Sequence, residues 1–301
     1  SEYSAHSSAS PHHERVVLSS GWQDMAAYLG GNVEALLTAA ELPGHYALDE
    51  FATMTMAEFI RLWAAMEKLA GGERIIDLLL PIISIKRPAP YLAALCCDDF
   101  RSAISRLSAM KRPVGPLEFR IEENGEHARI VYDWSVSQSL FSPLFVLLEF
   151  AVLKVLGEYG MGREPHFLRY ESPLAHDIDA ALAKRHLGQD VEVGPEMVIV
   201  VPAEELDQPF QSSNPVTLKI LDEHFRQLEQ NQLTGWAQRV SDALKRLLPQ
   251  GQVDVERVAR ALHCSVRTLQ RELAEEATSF RDVLQQTRHD LVLLDVKMPV
   301  M

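Results

Sequence analysis

The sequence predicts an α+β (mixed α/β) N-terminal domain followed by an all-α helix-turn-helix part. Apolar residues recur at helical spacing in several N-terminal windows, two alternating stretches flank an Asn-Gly pair, and beyond Trp236 the pattern turns wholly helical. The 301 residues suggest about two domains, and 47 % hydrophobic content is enough for real cores.

Residues 1–20, rich in Ser and His, read as a disordered tail, with His6, His12 and His13 as low-complexity residues rather than metal ligands. Helices are expected over Trp22–Leu29, Val33–Ala40 and Thr55–Leu69. In the third, Met56, Phe59, Ile60, Trp63, Met66 and Ala70 form a stripe of the kind that builds a core. Another helix is expected over Asp99–Met110. Leu117–Ile121 and Ala128–Trp134 alternate apolar and polar residues around Asn124-Gly125, a strong hairpin signal. Ser142–Tyr159 reads as a long, nearly buried helix. Its apolar run, Leu144 to Leu156, is interrupted by Glu149 and Lys154 and is too short for a membrane span. Strands at His166–Tyr170 and Met197–Val201, with helices at Leu174–Arg185 and Val216–Glu229, complete the first domain.

From Val253 to Leu273 two short helices surround a tight turn. Val255, Val258, Ala259 and Leu262 make one buried stripe, and Val266, Leu269 and Leu273 the other. Asp254 and Ser265 are placed to cap the two helices. Arg267, Gln270 and Arg271 share the outward face of the second helix, at i, i+3 and i+4. Arginine can grip guanine O6 and N7, and glutamine adenine N6 and N7, so the layout suits a helix entering the major groove. On spacing alone, a solvated face of an ordinary helical hairpin is an equal alternative.

Val258-Ala259, Leu262, Ser265, Arg267-Thr268-Leu269-Gln270-Arg271, Leu273 and Thr278-Ser279-Phe280 together resemble the first helix-turn-helix of the AraC/XylS transcription regulators. From about Met25 to Leu228 the chain is similar to that family's arabinose-binding-type, or ornithine-regulator-like, N-terminal domain. The matching landmarks are Thr55-Met56-Ala57-Glu58-Phe59, Leu148-Glu149-Phe150, Pro165-His166-Phe167, Glu171-Ser172-Pro173, and Leu206-Asp207-Gln208-Pro209-Phe210 with Asn214.

The resemblance implies an effector-binding and oligomerisation domain over 21–231 and a helix-turn-helix over 236–290. It implies promoter DNA and a small-molecule effector as partners, a homodimer, RNA polymerase as a further candidate partner and activation as the commoner mode; the composition and the lack of a visible signal peptide give the expectation of a cytoplasmic setting. Its DNA-binding residues would be Arg267, Gln270 and Arg271, with Ser265 and Thr268. The family continues into a second helix-turn-helix. Here residues 291–301 instead resemble a fragment of a response-regulator receiver, with Asp295 at the acceptor position, or extend the preceding helix. The alternative function is therefore a ligand-binding and dimerisation fragment without specific DNA binding.

The net charge of −13 is unevenly spread. From Trp236 onward ten Lys and Arg face nine Asp and Glu, so the acidity lies in the first 235 residues and phosphate attraction should be modest for one copy. Cys96, Cys97 and Cys264 offer no disulfide framework. The adjacent pair is read as buried thiols, with oxidation sensing the alternative. No nucleophile elbow, phosphate-cradling loop or zinc-protease helix occurs, so neither an enzyme nor a cofactor or metal is expected. Effector-binding residues stay unassigned. Trp63, Tyr91, Trp134, Phe145 and Tyr170 could line an apolar cavity, and Arg87 or Arg169 could hold a carboxylate, but core and surface roles suit them at least as well.

Overall fold

A computed structural model describes residues 15–18, 22–48, 52–82, 84, 88–111, 115–233, 235–251 and 253–296. The chain divides into two compact units, Ser1–Leu42 with Ala52–Asp222, and Pro43–Phe51 with Glu223–Met301.

The first unit opens with β1 (Arg15–Val17), α1 (Trp22–Tyr28), α2 (Val33–Ala39), β2 (Thr53–Thr55) and α3 (Met56–Ala70). The strand β1 lies inside the segment expected as a disordered tail. It pairs antiparallel with β2 and sets Val16 into the core. Residues 1–14, with His6, His12 and His13, fall outside the described residues. At the start of α3 the Thr55 hydroxyl accepts from the Glu58 N–H while the Glu58 carboxylate accepts from the Thr55 N–H, so two orphan donors are satisfied reciprocally.

Two unforeseen helices follow, α4 (Arg74–Pro81) and α5 (Ala89–Leu95), then α6 (Phe100–Lys111). The hairpin of β3 (Leu117–Asn124) and β4 (His127–Trp134) is longer than the alternation suggests. Asn124 pairs with His127, leaving Gly125 and Glu126 as a two-residue loop, and Gly125 has a φ of 65°. Such a left-handed first turn position is what glycine accepts without strain.

Helix α7 (Pro143–Met161) is capped by the Ser142 hydroxyl and is apolar nearly all round, so it is the buried axle of the unit. A Cβ on Gly160 would approach the Phe210 ring to 2.4 Å, so that contact admits glycine alone. The remaining elements are β5 (Arg169–Ser172), α8 (Ala180–Leu187), β6 (Val191–Val193), β7 (Val198–Pro202), α9 (Ala203–Leu206) and α10 (Pro215–Leu233), whose residues from Glu223 on belong to the second unit. The five-stranded sheet has the order β3-β4-β7-β5-β6, antiparallel throughout except for β5 with β6. Val198, Ile199, Val200 and Val201 are all buried, as a central strand covered on both faces requires.

The helix expected over Leu174–Arg185 is broken: Ala175–Asp177 is a 3-10 turn, and the Asp179 carboxylate then caps α8. The strand expected over His166–Tyr170 starts three residues later, at Arg169; the Leu168 N–H already donates to the Val200 carbonyl at 2.8 Å, whereas the His166 N–H is taken by Glu205.

In the second unit α11 (Trp236–Leu247), α12 (Val255–Ala261), α13 (Val266–Glu275) and α14 (Phe280–Val296) enclose a small core. Val240, Ala243, Leu244, Val258, Ala259, Leu269 and Leu273 are its centre. The helix α14 runs through Asp295 to Val296, so this stretch of the supposed receiver strand is helical; residues 297–301 lie outside the described residues.

Candidate functional site

Helices α3, α5, α6 and α7 leave an unfilled space between them. It is a cavity of about 250 Å³ in the first unit, lined by Leu62, Trp63 and Met66 of α3, Tyr91 of α5, Leu107 and Lys111 of α6, and Phe145, Leu148 and Glu149 of α7. Each helix contributes because its apolar stripe faces inward, and the rings of Phe145 and Trp63 meet edge to face at 4.8 Å.

One charged pair interrupts this apolar wall. The Lys111 ammonium donates to the Glu149 carboxylate, with side-chain exposures of 13 % and 9 %. Lys111 is the last residue of α6 and Glu149 sits mid-way along α7. The Lys111 ammonium also lies 5.7 Å from the Phe119 ring centroid. The α7 backbone is tied to the sheet beside the pair, where the Tyr132 hydroxyl donates to the Glu149 carbonyl at 3.1 Å. Trp63 Nε1 is buried with no hydrogen-bond partner among the described residues.

Of the residues the sequence offered for a pocket, Trp63, Tyr91 and Phe145 line this cavity. Trp134 packs behind it against Phe141 and Phe145. Tyr170 is in the sheet core beside Phe150 and Phe167 and does not line the cavity. Arg169 pairs with Glu171 at the surface, and Arg87 lies outside the described residues. Lys111 was missed from sequence. Glu149 had a visible signal, a carboxylate inside an apolar helical run.

Burial is the main influence raising Tyr91, Tyr132 and Tyr170 above the ordinary tyrosine value of 10.0. Burial alone would lower the Lys111 ammonium, but Glu149 and Tyr91 outweigh it and the net direction is upward from 10.5. The unfolded chain releases these protons at their ordinary values while the folded chain retains them. Their contribution is therefore whole below pH about 10 and is lost as pH rises beyond it. The urea midpoint is expected to fall from about pH 10 upward; a midpoint that rises there would contradict these assignments.

The second unit carries the other feature. Asp254 caps α12 by accepting from the Arg257 N–H at 2.8 Å, and Ser265 caps α13 by accepting from the Thr268 N–H at 3.0 Å. Between the helices His263 takes a left-handed φ of 54°, closing the turn. Arg267 and Gln270 are exposed on α13. Thr268 is buried, and its hydroxyl is bonded to that of the half-buried Ser265 that caps α13. Arg271 is only half-exposed. It pairs with Glu272 at 2.5 Å and lies 3.0 Å from His45, on the 3-10 turn Gly44–Leu48 that clusters with this unit.

Across the described residues no helix is long and apolar enough to cross a membrane, and no group of three or more His, Cys, Asp or Glu is arranged to hold a metal ion.

Residues 30–210 match the family described as the arabinose-binding domain of AraC transcription regulator, N-terminal. That span takes in most of the cavity wall. Among solved structures the chain is similar to the transcriptional regulator CdpR from Pseudomonas aeruginosa, at 19 % identity over 74 % of this chain and 72 % of that one, with a TM-score of 0.39. No curated protein matches the chain.

Proposed function

The chain belongs to the family of the arabinose-binding domain of AraC transcription regulators, and on that premise we propose that it is an effector-responsive, DNA-binding regulator rather than an enzyme. The observation that carries this reading is the mainly apolar cavity, lined mostly by the family-matched segment and furnished with one charged pair. A small molecule held there would control promoter binding through α13. The protein would act in the cytoplasm as a homodimer formed through its N-terminal domain. A second copy matters because one reading helix makes few base contacts, and linkage raises the effective concentration of the second.

Arg267 and Gln270 are the residues proposed to read bases. Arg271, engaged by Glu272, is proposed to contribute less to selectivity. In fluorescence anisotropy with DNA from upstream of its own gene and a scrambled control, wild type is expected to bind selectively and to weaken as salt rises. Arg267→Ala/Gln270→Ala should lose about tenfold or more in selectivity, the worth of one or two bidentate base contacts. Equal binding of both DNAs by the wild type would overturn the DNA-reading half of the proposal and leave the effector-binding half.

A further inference from the structure

Resting on that effector-binding reading, we propose that the cavity takes a neutral, mostly apolar molecule of roughly ten non-hydrogen atoms carrying one carbonyl-type hydrogen-bond acceptor, scaled from a ~150 Å³ cavity that takes up benzene. Size is the first reason: the cavity measures about 250 Å³.

Charge is the second reason. Lys111 and Glu149 already neutralise each other inside the wall. An anionic ligand would draw Lys111 from its partner and leave a carboxylate uncompensated among Leu62, Leu107 and Leu148; a cation would do the converse. A sugar fares no better, since most of its hydroxyls would lose water and meet only apolar side chains.

Donor capacity is the third. Lysine has three N–H donors and no acceptor, and one is directed at Glu149. The indole of Trp63 is donor only, and its Nε1 is buried without a partner in a residue that lines the same space. Among the described lining residues the buried side-chain polar atom left without a partner is thus a donor, Trp63 Nε1, and a ketone, ester or amide oxygen would satisfy it. The apolar body of the ligand would lie against Phe145 and the leucines.

Isothermal titration calorimetry of the full chain with three probes of similar length decides the matter: 4-phenyl-2-butanone, butylbenzene and 3-phenylpropanoate. The ketone is expected to bind about tenfold or more tightly than either of the others, as one hydrogen bond from a charged donor would give. In Lys111→Met/Glu149→Leu the ketone should lose part of its advantage over butylbenzene, the Trp63 Nε1 donor remaining, while butylbenzene itself is little changed. If that variant does not fold, the wild-type ranking alone carries the decision. A carboxylate that binds tightest, or a hydrocarbon that binds as well as the ketone, would overturn this ligand class and leave the cavity standing as the effector site. Binding of none of the three would overturn both the ligand class and the cavity assignment.

Discussion

Glu149→Ala is expected to lower the unfolding free energy by about 3–5 kcal/mol, because it strands the Lys111 ammonium in an apolar wall. The pair itself adds little net stability, since taking both charges out of water offsets most of their attraction. The double variant Lys111→Met/Glu149→Leu is therefore expected to recover most of the loss. Urea unfolding of wild type, the single and the double variant checks this. A single variant as stable as wild type would mean that Lys111 has another way out to solvent. The damage has a definite location: α6 loses its tie to α7, and the cavity sits between those helices.

The second large effect belongs to the other unit. Leu269→Ala is expected to destabilise that unit by about 2–5 kcal/mol, as truncating a fully buried leucine in a core does. The core there is small, centred on a handful of side chains from α11, α12, α13 and α14, so a void at its middle has few neighbours able to collapse into it. Trp236, whose ring stacks under the Arg239 guanidinium at 4.1 Å, belongs to this unit and gives a local fluorescence probe once Trp22, Trp63 and Trp134 of the first unit are replaced by Phe. Its transition should move to lower temperature, with DNA binding lost at the same point. A Trp236 transition unchanged from wild type would contradict the packing described.

Features that depend on nearby residues were legible in the sequence. The hairpin at Asn124-Gly125 and the caps Asp254 and Ser265 are each complete within about four residues, and the structure places all of them. Short elements held by distant partners were not. The helices α4 and α5 span only eight and seven residues. Isolated helices of such length are marginal, and it is packing that makes them helical. The break after Asp177 was missed because Asp179 can sit within a helix or cap one, and only the tertiary setting chooses.

The cavity was half legible for the same reason. Trp63, Tyr91 and Phe145 could be named as candidates, but a stripe of rings has the same spacing whether it fills a core or borders a void. The pairing of Lys111 with Glu149 joins positions 38 residues apart, and nothing local announces it. The exposed face of α13 was readable from spacing, whereas the engagement of Arg271 by Glu272 and His45 was not, because an arginine at that position could equally have stood free.

The first turn of α11 is closed from far ahead in the chain. The Glu276 carboxylate accepts from the backbone N–H groups of Trp236 and Ala237, the latter at 2.9 Å, across about forty positions. During synthesis at about 5–20 residues per second, α11 would emerge roughly 2–8 s before the residue that caps it. Until then its leading amides have only water, and the half-made helix bundle has no closed core to offer. Helix α13 is completed at Glu275, one residue before that clasp arrives. A nascent chain therefore acquires α13 and the clasp on α11 almost at the same moment, and a ribosome that stalls short of Glu276 holds a bundle still open at its first turn.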